Sequence, residues 1–386
     1  MRIAHISDLH IGKRVNEYSM IEDQKYILAQ ILDELDRAKA EALLIAGDVY
    51  DKAVPSAEAV QLFDDFLVKL SQRDLPTFVI SGNHDSPERI AFGGRLMREA
   101  RIFMSPVYDG KVEPITLEDQ FGEVNFYMLP FVKPAHINRY IEEEPVDNYT
   151  DGIKHVIDSM NLDRSKRNIL VAHQLVTGAD RTESEDISIG GTDNVDIDAF
   201  DGFAYVALGH IHRSQKCGRD NIRYSGTPLK YSFSEAKDRK SITIIDLGEL
   251  SGDDCDLEIS TVELTPLRDM VELRGSYNEL MAKEYYTETS YQDDYTHIIL
   301  TDEDDVTDAI GKLRFVYHNL MKLDYDNSRT RSLSRLESID RAEKKSPLQL
   351  FSEFFAVQRG MKMNENQEEY MRAQIEKLWE EDNETE

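Results

Sequence analysis

Five short polar motifs, each directly after an apolar segment, carry the side chains that could do chemistry in this sequence. Strand ends on one edge of a sheet converge in space, so motifs in these positions can build a single site. In an extended backbone, residues two apart point to the same side, so both polar residues of an Asp-x-His or His-x-His pair can face one cleft. In chain order the motifs are Asp8-Leu9-His10, Gly47-Asp48-Val49-Tyr50-Asp51, Gly82-Asn83-His84-Asp85, Ala172-His173-Gln174 and Gly209-His210-Ile211-His212.

Carboxylate, imidazole and amide groups are the ligand types in these motifs. They suit manganese, magnesium, iron or zinc, and manganese matches mixed oxygen and nitrogen ligands well. Asp48 lies in the middle of the set, and its two oxygens make it the natural bridge between two ions. Two ions roughly 3.5–4 Å apart would polarise a phosphate and activate a water. Because only Asp8 and Asp48 add negative charge, such a cluster stays positive and attracts phosphate. The motifs therefore predict a two-metal phosphoesterase.

The elements that must position these motifs alternate between strand and helix from residue 1 to about 265. Apolar residues at helical spacing predict helices over 20–38 and 56–71. Because the later strands have few helices between them, we expect two stacked sheets with helices outside. Strands are predicted at 3–6, 42–46, 77–80, 125–129, 168–172, 204–208, 222–225 and 241–246.

The remainder of the chain differs in composition. Residues 266–326 predict a compact α+β capping domain, with helices near 277–284 and 305–317, and residues 327–345 a polar, locally basic linker. Residues 346–386 predict a helical tail. An apolar stripe on that tail either packs on the chain's own body or docks on a partner's coiled coil, and the preceding linker favours docking. The stripe consists of Leu350, Phe351, Phe354 and Phe355.

Composition limits the classes of protein. The chain has 386 residues and a formal net charge of −29, which argues against a generic nucleic-acid-binding surface because phosphate contacts need Lys and Arg. Bound divalent ions would reverse that field locally. Two cysteines, Cys217 and Cys255, make no disulfide framework and indicate a cytoplasmic protein. No apolar run approaches the roughly 18 residues of a membrane helix, so we expect no membrane partner.

In order and spacing, the five motifs resemble those of the calcineurin-like metallophosphoesterases, D-x-H…GD…GNHD…H…GHxH. The resemblance implies an α/β fold, a four-layer sandwich of two stacked mixed sheets flanked by helices. It implies that His84 binds or protonates the leaving group, and that Asp85 orients His84 by hydrogen bonding. One ion would be held by Asp8, His10, Asp48 and His212, and the other by Asp48, Asn83, His173 and His210.

A narrower resemblance is to the nuclease subunits of bacterial SbcCD complexes, over residues 1–265 by motif and beyond by layout. It implies a manganese-dependent (or magnesium-dependent) exonuclease on double-stranded ends and endonuclease on hairpins and single strands. It also implies a homodimer in DNA repair, recombination and replication, DNA recognition by residues 266–326, and an SbcC-type coiled-coil ATPase bound through 346–379. The segments that carry it include Met1-Arg2-Ile3, Ser81-Gly82-Asn83-His84-Asp85-Ser86 and Tyr224-Ser225-Gly226-Thr227-Pro228.

Two other functions remain open at this point. A nucleotidase or protein phosphatase would use the same scaffold but needs only the amino-terminal domain. A non-catalytic binding subunit would not need the intact ligand set.

Several single residues also have two interpretations. Lys13, Arg14 and Arg89 lie beside the motifs and could grip phosphates or be simply solvated. Asp51 and Asp85 could each support the site or cap a turn. Strand parity points His5 away from Asp8, so we leave His5 out of the site.

Overall fold

The computed structural model describes residues 1–142, 144–185, 193–252 and 254–331, together with six single positions between 352 and 371. The chain divides into two compact units, Met1–Val271 and Glu272–Glu386. The predicted divisions after residues 265, 326 and 345 remain proposals, and the predicted partner-binding tail lies almost wholly outside the described residues. No helix within the described residues has the length and apolar character needed to span a membrane.

The first unit contains two six-stranded mixed sheets. Four neighbouring strands on one side of the first sheet run parallel, and Ser241–Ser251 pairs antiparallel with both of its neighbours. Parallel strands present their carboxyl ends at one edge, so the motifs after residues 6, 46 and 80 leave this sheet side by side. In spatial order its strands are Asp254–Glu263, Ser241–Ser251, Arg2–Ile6, Ala42–Ala46, Thr77–Ile80 and Ile102–Met104.

The second sheet is also mixed, but its antiparallel strands lie on both sides. Its four inner strands are parallel, and the outer strand on each side is antiparallel to its neighbour. His173 is the last residue of one inner strand, and His210 directly follows the adjacent one. The strands, in spatial order, are Gln215–Cys217, Arg219–Tyr224, Tyr205–Gly209, Arg167–His173, Gly122–Leu129 and Ile115–Asp119.

Alternate residues of both sheets meet in one apolar core. Phe78 of the first sheet stacks on Phe126 of the second, with ring centroids 4.3 Å apart. Leu44 and Val171, one from each sheet, are fully buried in the same cluster. Side chains of a strand point alternately to its two faces, so these apolar segments bury one set here and the other beneath helices.

Helices cover the outer faces of the two sheets, so the predicted four-layer arrangement is confirmed. Ile153 and Val156 of the helix Tyr149–Ser159 pack in the cluster that contains Leu170 of the second sheet. Ser56 begins the helix Ala57–Ser71, since its Oγ accepts a hydrogen bond from the Ala59 amide. The other helices of this unit are Ile21–Ala38, Pro87–Ala91, Gly94–Met97 and Pro134–Ile137, with 3-10 turns at Arg98–Ala100, Ile197–Phe200 and Phe233–Glu235. Two small ribbons pair Arg14–Val15 with Tyr18–Ser19, and Leu175–Val176 with Asn194–Val195.

Beyond the second large sheet the chain forms a three-stranded sheet with short helices. Asp308 adopts the left-handed conformation (φ 51°), so the helix predicted over 305–317 is confined to Ala309–Leu313. The helix predicted over 277–284 is interrupted where Ala282 becomes extended. The elements are the strands Met270–Gly275, Tyr295–Leu300 and Asn319–Tyr325, and the helices Tyr277–Leu280, Lys283–Tyr286 and Ala309–Leu313.

His5 lies in the interior and not among the motif residues, as strand parity predicted. Its Nδ1 is 3.0 Å from the Tyr205 hydroxyl, and burial lowers the pKa of His5 from 6.5 to about 3. Below pH 6.5 the unfolded chain therefore binds a proton that the folded chain does not. The stability that His5 contributes is present above pH 6.5 and is lost as the pH falls towards 3.

We expect His5→Gln to make the chain less acid-sensitive. Between pH 6 and pH 4 the slope of unfolding free energy against pH should become shallower by about 1.4 kcal/mol per pH unit, the value for one proton. Urea unfolding of both proteins in EDTA at several pH values measures this slope. Identical slopes would show that His5 does not titrate in this way.

Candidate metal centre

All seven predicted metal-ligand residues lie in one cleft, at the carboxyl ends of strands from both sheets. Ligand atoms of three overlapping groups lie within 4.8 Å of one another: Asp8 with His10 and His212, His10 with Asp48 and His84, and Asp8 with Asp48 and His173. Asn83 and His210 belong to the same cluster, because the Asn83 side chain is within hydrogen-bond distance of both His173 and His210.

One side of the cleft contains two imidazole nitrogens that face each other. His10 Nε2 is 3.1 Å from His212 Nε2, and it is 3.8 Å from Asp48 Oδ2. Two nitrogen lone pairs at this distance repel unless a proton or a cation lies between them. Together with the Asp8 carboxylate, this donor set fits a divalent cation.

The other side is arranged around the Asn83 side chain. Its Oδ1 is 3.0 Å from His173 Nε2 and 2.9 Å from His210 Nδ1, while His173 Nε2 is 3.3 Å from Asp48 Oδ2. His173 Nδ1 donates to the Ala46 carbonyl at 2.9 Å, which turns Nε2 towards the cleft. Amide oxygen, carboxylate and two imidazoles fit a second divalent cation.

Asp48 lies between these two groups. Its Oδ2 faces both His10 and His173, and its Oδ1 accepts a hydrogen bond from the His84 amide at 2.9 Å. This is the position that a bridging carboxylate requires.

Several candidate ligands have a backbone conformation that L-residues rarely adopt. The φ angles are 53° at Asp8, 44° at His10, 47° at Asp48 and 105° at His210. Each such residue costs about 1–3 kcal/mol, and residues of this kind cluster at functional sites. Here the His210 amide donates to Asp8 Oδ1 at 2.9 Å, and the His10 amide to the Asp48 carbonyl at 2.9 Å. These hydrogen bonds hold the strained turns against one another.

Two motif glycines allow the cleft to close this tightly. A Cβ atom at Gly82 would lie 2.1 Å from Asp48 Oδ1, and one at Gly209 would lie 1.8 Å from the Ala46 carbonyl oxygen. Any other residue would therefore push the two motif loops, or the two sheets, apart.

Burial sets the protonation of the imidazoles. Loss of solvation lowers the pKa of His210 to about 3 and holds the pKa of His10 and His212 well below 6.5, so all three are neutral, as metal binding requires. His173 differs: burial lowers its pKa, but the adjacent Asp48 carboxylate outweighs burial and raises it to about 9. Burial likewise opposes ionisation of Asp48, yet His173 holds the pKa of that carboxyl below its usual range.

A family comparison agrees with this geometry. The model described as calcineurin-like phosphoesterase matches residues 1–214, more than half of the chain. The chain belongs to the calcineurin-like phosphoesterase family. Both the predicted fold class and the predicted enzyme class, a phosphoester hydrolase, are thereby confirmed, and the family implies divalent metals. A second model, described as the type 5 capsule protein repressor C-terminal domain, matches residues 266–359 of this phosphoesterase.

Individual relatives extend the comparison. This phosphoesterase is 31% identical over 327 residues to the SbcCD nuclease subunit of Staphylococcus epidermidis, covering 84% of this chain and 85% of the relative. TT1561 of Thermus thermophilus is 14% identical, with a TM-score of 0.37 over 67% of this chain and 98% of that one. A dimetal phosphatase from Danio rerio is 11% identical, with a TM-score of 0.39 over 69% and 98%.

His84 is half-buried at the edge of the cleft of this phosphoesterase. Its ring lies edge-on to that of His10, with centroids 4.9 Å apart. Its Nδ1 donates to the Asp51 carbonyl at 3.1 Å, so Nε2 is the ring nitrogen that can serve a substrate.

Asp85 does not have the predicted contact. Its carboxylate accepts backbone N–H groups of Val49, Tyr50 and Gly82 at 2.9–3.0 Å, and the His84 ring is oriented by Asp51 instead. A buried carboxylate needs donors, and the amides of two adjacent loops supply them. The prediction that Asp85 orients His84 is therefore corrected: Asp85 ties the loop of Asp48 to the loop of His84.

The basic residues beside the motifs differ in position. Lys13 Nζ pairs with Asp51 Oδ1 at 2.8 Å, and that oxygen is 3.7 Å from His10 Nδ1. The exposed Arg14 donates to the Glu17 carbonyl, and Arg89 is exposed on its short helix. Of these three cations, Lys13 therefore has an observed link to the site.

Residues outside the motifs also support the site, and the sequence analysis missed them. Gln24 Nε2 donates to the His10 carbonyl at 2.8 Å, and the Tyr231 hydroxyl donates to the Leu9 carbonyl at 2.6 Å. Ser184, Glu235 and Lys240 lie behind His212. None of these belongs to a local pattern that could have indicated its role.

Proposed function

We propose that this phosphoesterase is a two-metal DNA nuclease and the nuclease subunit of an SbcCD-type complex. The main support is the match, over 84% of this chain, to a relative named as an SbcCD nuclease subunit. That match extends well beyond the phosphoesterase region at 1–214, whereas a nucleotidase or phosphatase would need only this region. In the proposal it acts as an exonuclease on double-stranded ends and an endonuclease on hairpins and single strands, in DNA repair, recombination and replication.

The proposed mechanism divides the work among the cleft residues. Two divalent ions, manganese by preference and magnesium as the alternative, would supply positive charge that polarises the phosphate and lowers the pKa of water. Asp48 would bridge them, and the other six ligand residues would hold them as the motif resemblance implies. As an imidazolium whose Nδ1–H donates to the Asp51 carbonyl, His84 would give its Nε2 proton to the leaving 3′ oxygen and would regain a proton from solvent.

A two-substrate assay tests the activity. The purified chain with Mn²⁺ is incubated with a DNA hairpin and, separately, with p-nitrophenyl phosphate. We expect hairpin cleavage that EDTA abolishes and slow hydrolysis of the monoester. Rapid monoester hydrolysis without DNA cleavage would favour the phosphatase alternative. Absence of both activities in the presence of Mn²⁺ would favour a binding subunit.

The ATPase partner is proposed to dock on residues 346–379. The support is the subunit name of the relative and the apolar stripe of the sequence, with residues 327–345 as a linker. Pull-downs with the full chain and with a chain that stops at residue 340 test this. We expect only the full chain, and not the shortened one, to retain a large coiled-coil ATPase. Equal retention by both chains would place the contact elsewhere.

We also propose that the chain forms a homodimer through the region that follows the Gly82–Asp85 motif. Phe92 and Leu96, four residues apart, are 81% and 83% exposed. Large apolar side chains this exposed on one short segment are typical of an interface.

The cytoplasmic location that we propose rests on the free thiols of Cys217 and Cys255, and cell fractionation tests it.

We expect Phe92→Glu combined with Leu96→Glu to produce a monomer, because two charges would have to be desolvated at the interface. Light scattering coupled to gel filtration gives the mass. The matched control is Phe315→Glu, which changes an equally exposed phenylalanine (83%) in the second unit and should leave a dimer. A double variant that still has the dimer mass would place the interface elsewhere.

A further inference from the structure

We propose that Ser184, Glu235 and Lys240 are positioning residues that fix the ring of His212 for metal binding. The inference rests on the two-metal centre of the proposed function but not on DNA as its substrate. These three residues lie outside the five motifs, and they reach His212 from two other segments of the chain.

A short chain of hydrogen bonds connects the ring to a buried carboxylate. Ser184 Oγ is 2.6 Å from His212 Nδ1 and 2.6 Å from Glu235 Oε1. Glu235 has no exposed surface, and His212 is 2% exposed. Ser184, which joins them, is half-buried, so the two ends of this chain of hydrogen bonds are the parts shielded from water.

The chemistry of the three groups fixes where the protons lie. An ionised carboxylate only accepts hydrogen bonds, so the single Ser184 hydroxyl proton must go to Glu235. The Ser184 oxygen can then only accept a hydrogen bond from His212. The hydrogen-bonded nitrogen of His212, Nδ1, must therefore carry a proton. A neutral imidazole has one N–H, so the lone pair of His212 lies on Nε2. That nitrogen is the one 3.1 Å from His10 Nε2, in the cleft.

Lys240 supplies the positive charge that the buried Glu235 carboxylate needs. Its Nζ contacts Glu235 Oε2 at 2.5 Å, Thr227 Oγ1 at 2.8 Å and the His212 carbonyl at 2.9 Å. An ammonium group has three N–H donors, and these contacts use all of them. A buried ion pair this well satisfied is costly to break by removing one partner.

The main chain of His212 is fixed by the same surroundings. Its amide donates to Glu185 Oε1 at 2.8 Å, and its carbonyl accepts from the Thr227 amide at 3.1 Å as well as from Lys240. The ring and both backbone groups of His212 thus have defined partners. Rotation of the ring away from the cleft would break the contact with Ser184.

The network acts on one side of the metal centre. On the other side, His173 is oriented by the Ala46 carbonyl, and Asn83 contacts His173 and His210 directly. None of these contacts involves Ser184 or Glu235. Loss of the network should therefore weaken one ion and leave the other bound.

The test uses Ser184→Ala in the full chain, with Mn²⁺ as the probe. Calorimetric titration should show one Mn²⁺ bound as in the wild type and the other weakened by about 10- to 100-fold, as for other residues that orient metal ligands. At a Mn²⁺ concentration between the two affinities, the paramagnetic resonance spectrum should change from a coupled pair to a single ion. Ser184→Thr, which keeps the hydroxyl, should restore the second ion.

Ser105→Ala provides a matched control, since Ser105 is a buried serine (1% exposed) outside the cleft. It should bind both ions. Wild-type affinity for two ions in Ser184→Ala would overturn the proposal, and so would an equal loss of both ions, which would indicate a general structural effect. A wild-type chain that binds fewer than two Mn²⁺ would overturn the two-metal centre itself. Failure to cleave DNA with two ions bound would count only against the nuclease function.

Discussion

Replacing Asp48 by asparagine is expected to remove both metal ions from the cleft and to abolish phosphoester hydrolysis. Asparagine keeps the oxygen that accepts the His84 amide, but it places an uncharged NH₂ group where Oδ2 faces His10 and His173. An NH₂ group has no lone pair for a cation, and one of two carboxylate charges is lost. Because one atom faces both metal positions, we expect both ions to leave together.

Metal content after dialysis against Mn²⁺ measures this loss. Asp36→Asn is a suitable control because it makes the same chemical change at an exposed aspartate that pairs with Arg73. That variant should keep two ions and full activity. An Asp48→Asn chain that retains one ion at wild-type affinity would contradict the bridging position.

Replacing His84 by alanine is expected to reduce DNA cleavage by about 10²- to 10⁴-fold, the usual effect of removing a general acid. Both ions should remain bound, because alanine keeps the backbone N–H that donates to Asp48. The ring itself is half-buried at the edge of the cleft, so its loss leaves a solvated gap and not a buried cavity.

The leaving group distinguishes this role from a general loss of function. The leaving group of a p-nitrophenyl phosphodiester, p-nitrophenolate, departs without protonation. Hydrolysis of this substrate by His84→Ala should therefore fall much less than DNA cleavage. His155→Ala, which removes an exposed histidine from the helix Tyr149–Ser159, should change neither rate. Equal losses with both phosphodiesters would exclude proton donation by His84.

The parts of the site that could be predicted from sequence are those with a local signal. An apolar segment that ends in Asp, Asn or His marks a strand end, and parallel strands bring such ends together. This was enough to find Asp8, Asp48 and His173, and strand parity placed His5 outside the site. The regular helices Ile21–Ala38 and Ala57–Ser71 were equally clear from their apolar spacing.

Features that depend on distant contacts had no such signal. Glu235 reaches His212 through Ser184. Ser184 and Glu235 are 51 positions apart in the sequence, and no spacing rule connects such residues. Asp85 was assigned the wrong partner because sequence adjacency to His84 does not show which amides a buried carboxylate will meet. The left-handed turn at Asp308, which shortens the third helix of the small unit, is also decided by the surrounding fold.

The division of the ligands between the two sheets has a consequence for folding. Asp8, His10, Asp48 and Asn83 follow strands of one sheet, whereas His173 ends a strand of the other sheet and His210 and His212 follow the next one. Ions shared by both groups would tie residues 8 and 212 together like a covalent staple that closes most of the first unit into a loop. In a chain with two unpaired thiols, metal would thus take the place that disulfides hold in secreted proteins. The supply of metal in the cell would then determine how much of the protein stays folded, as well as how fast it hydrolyses phosphoesters.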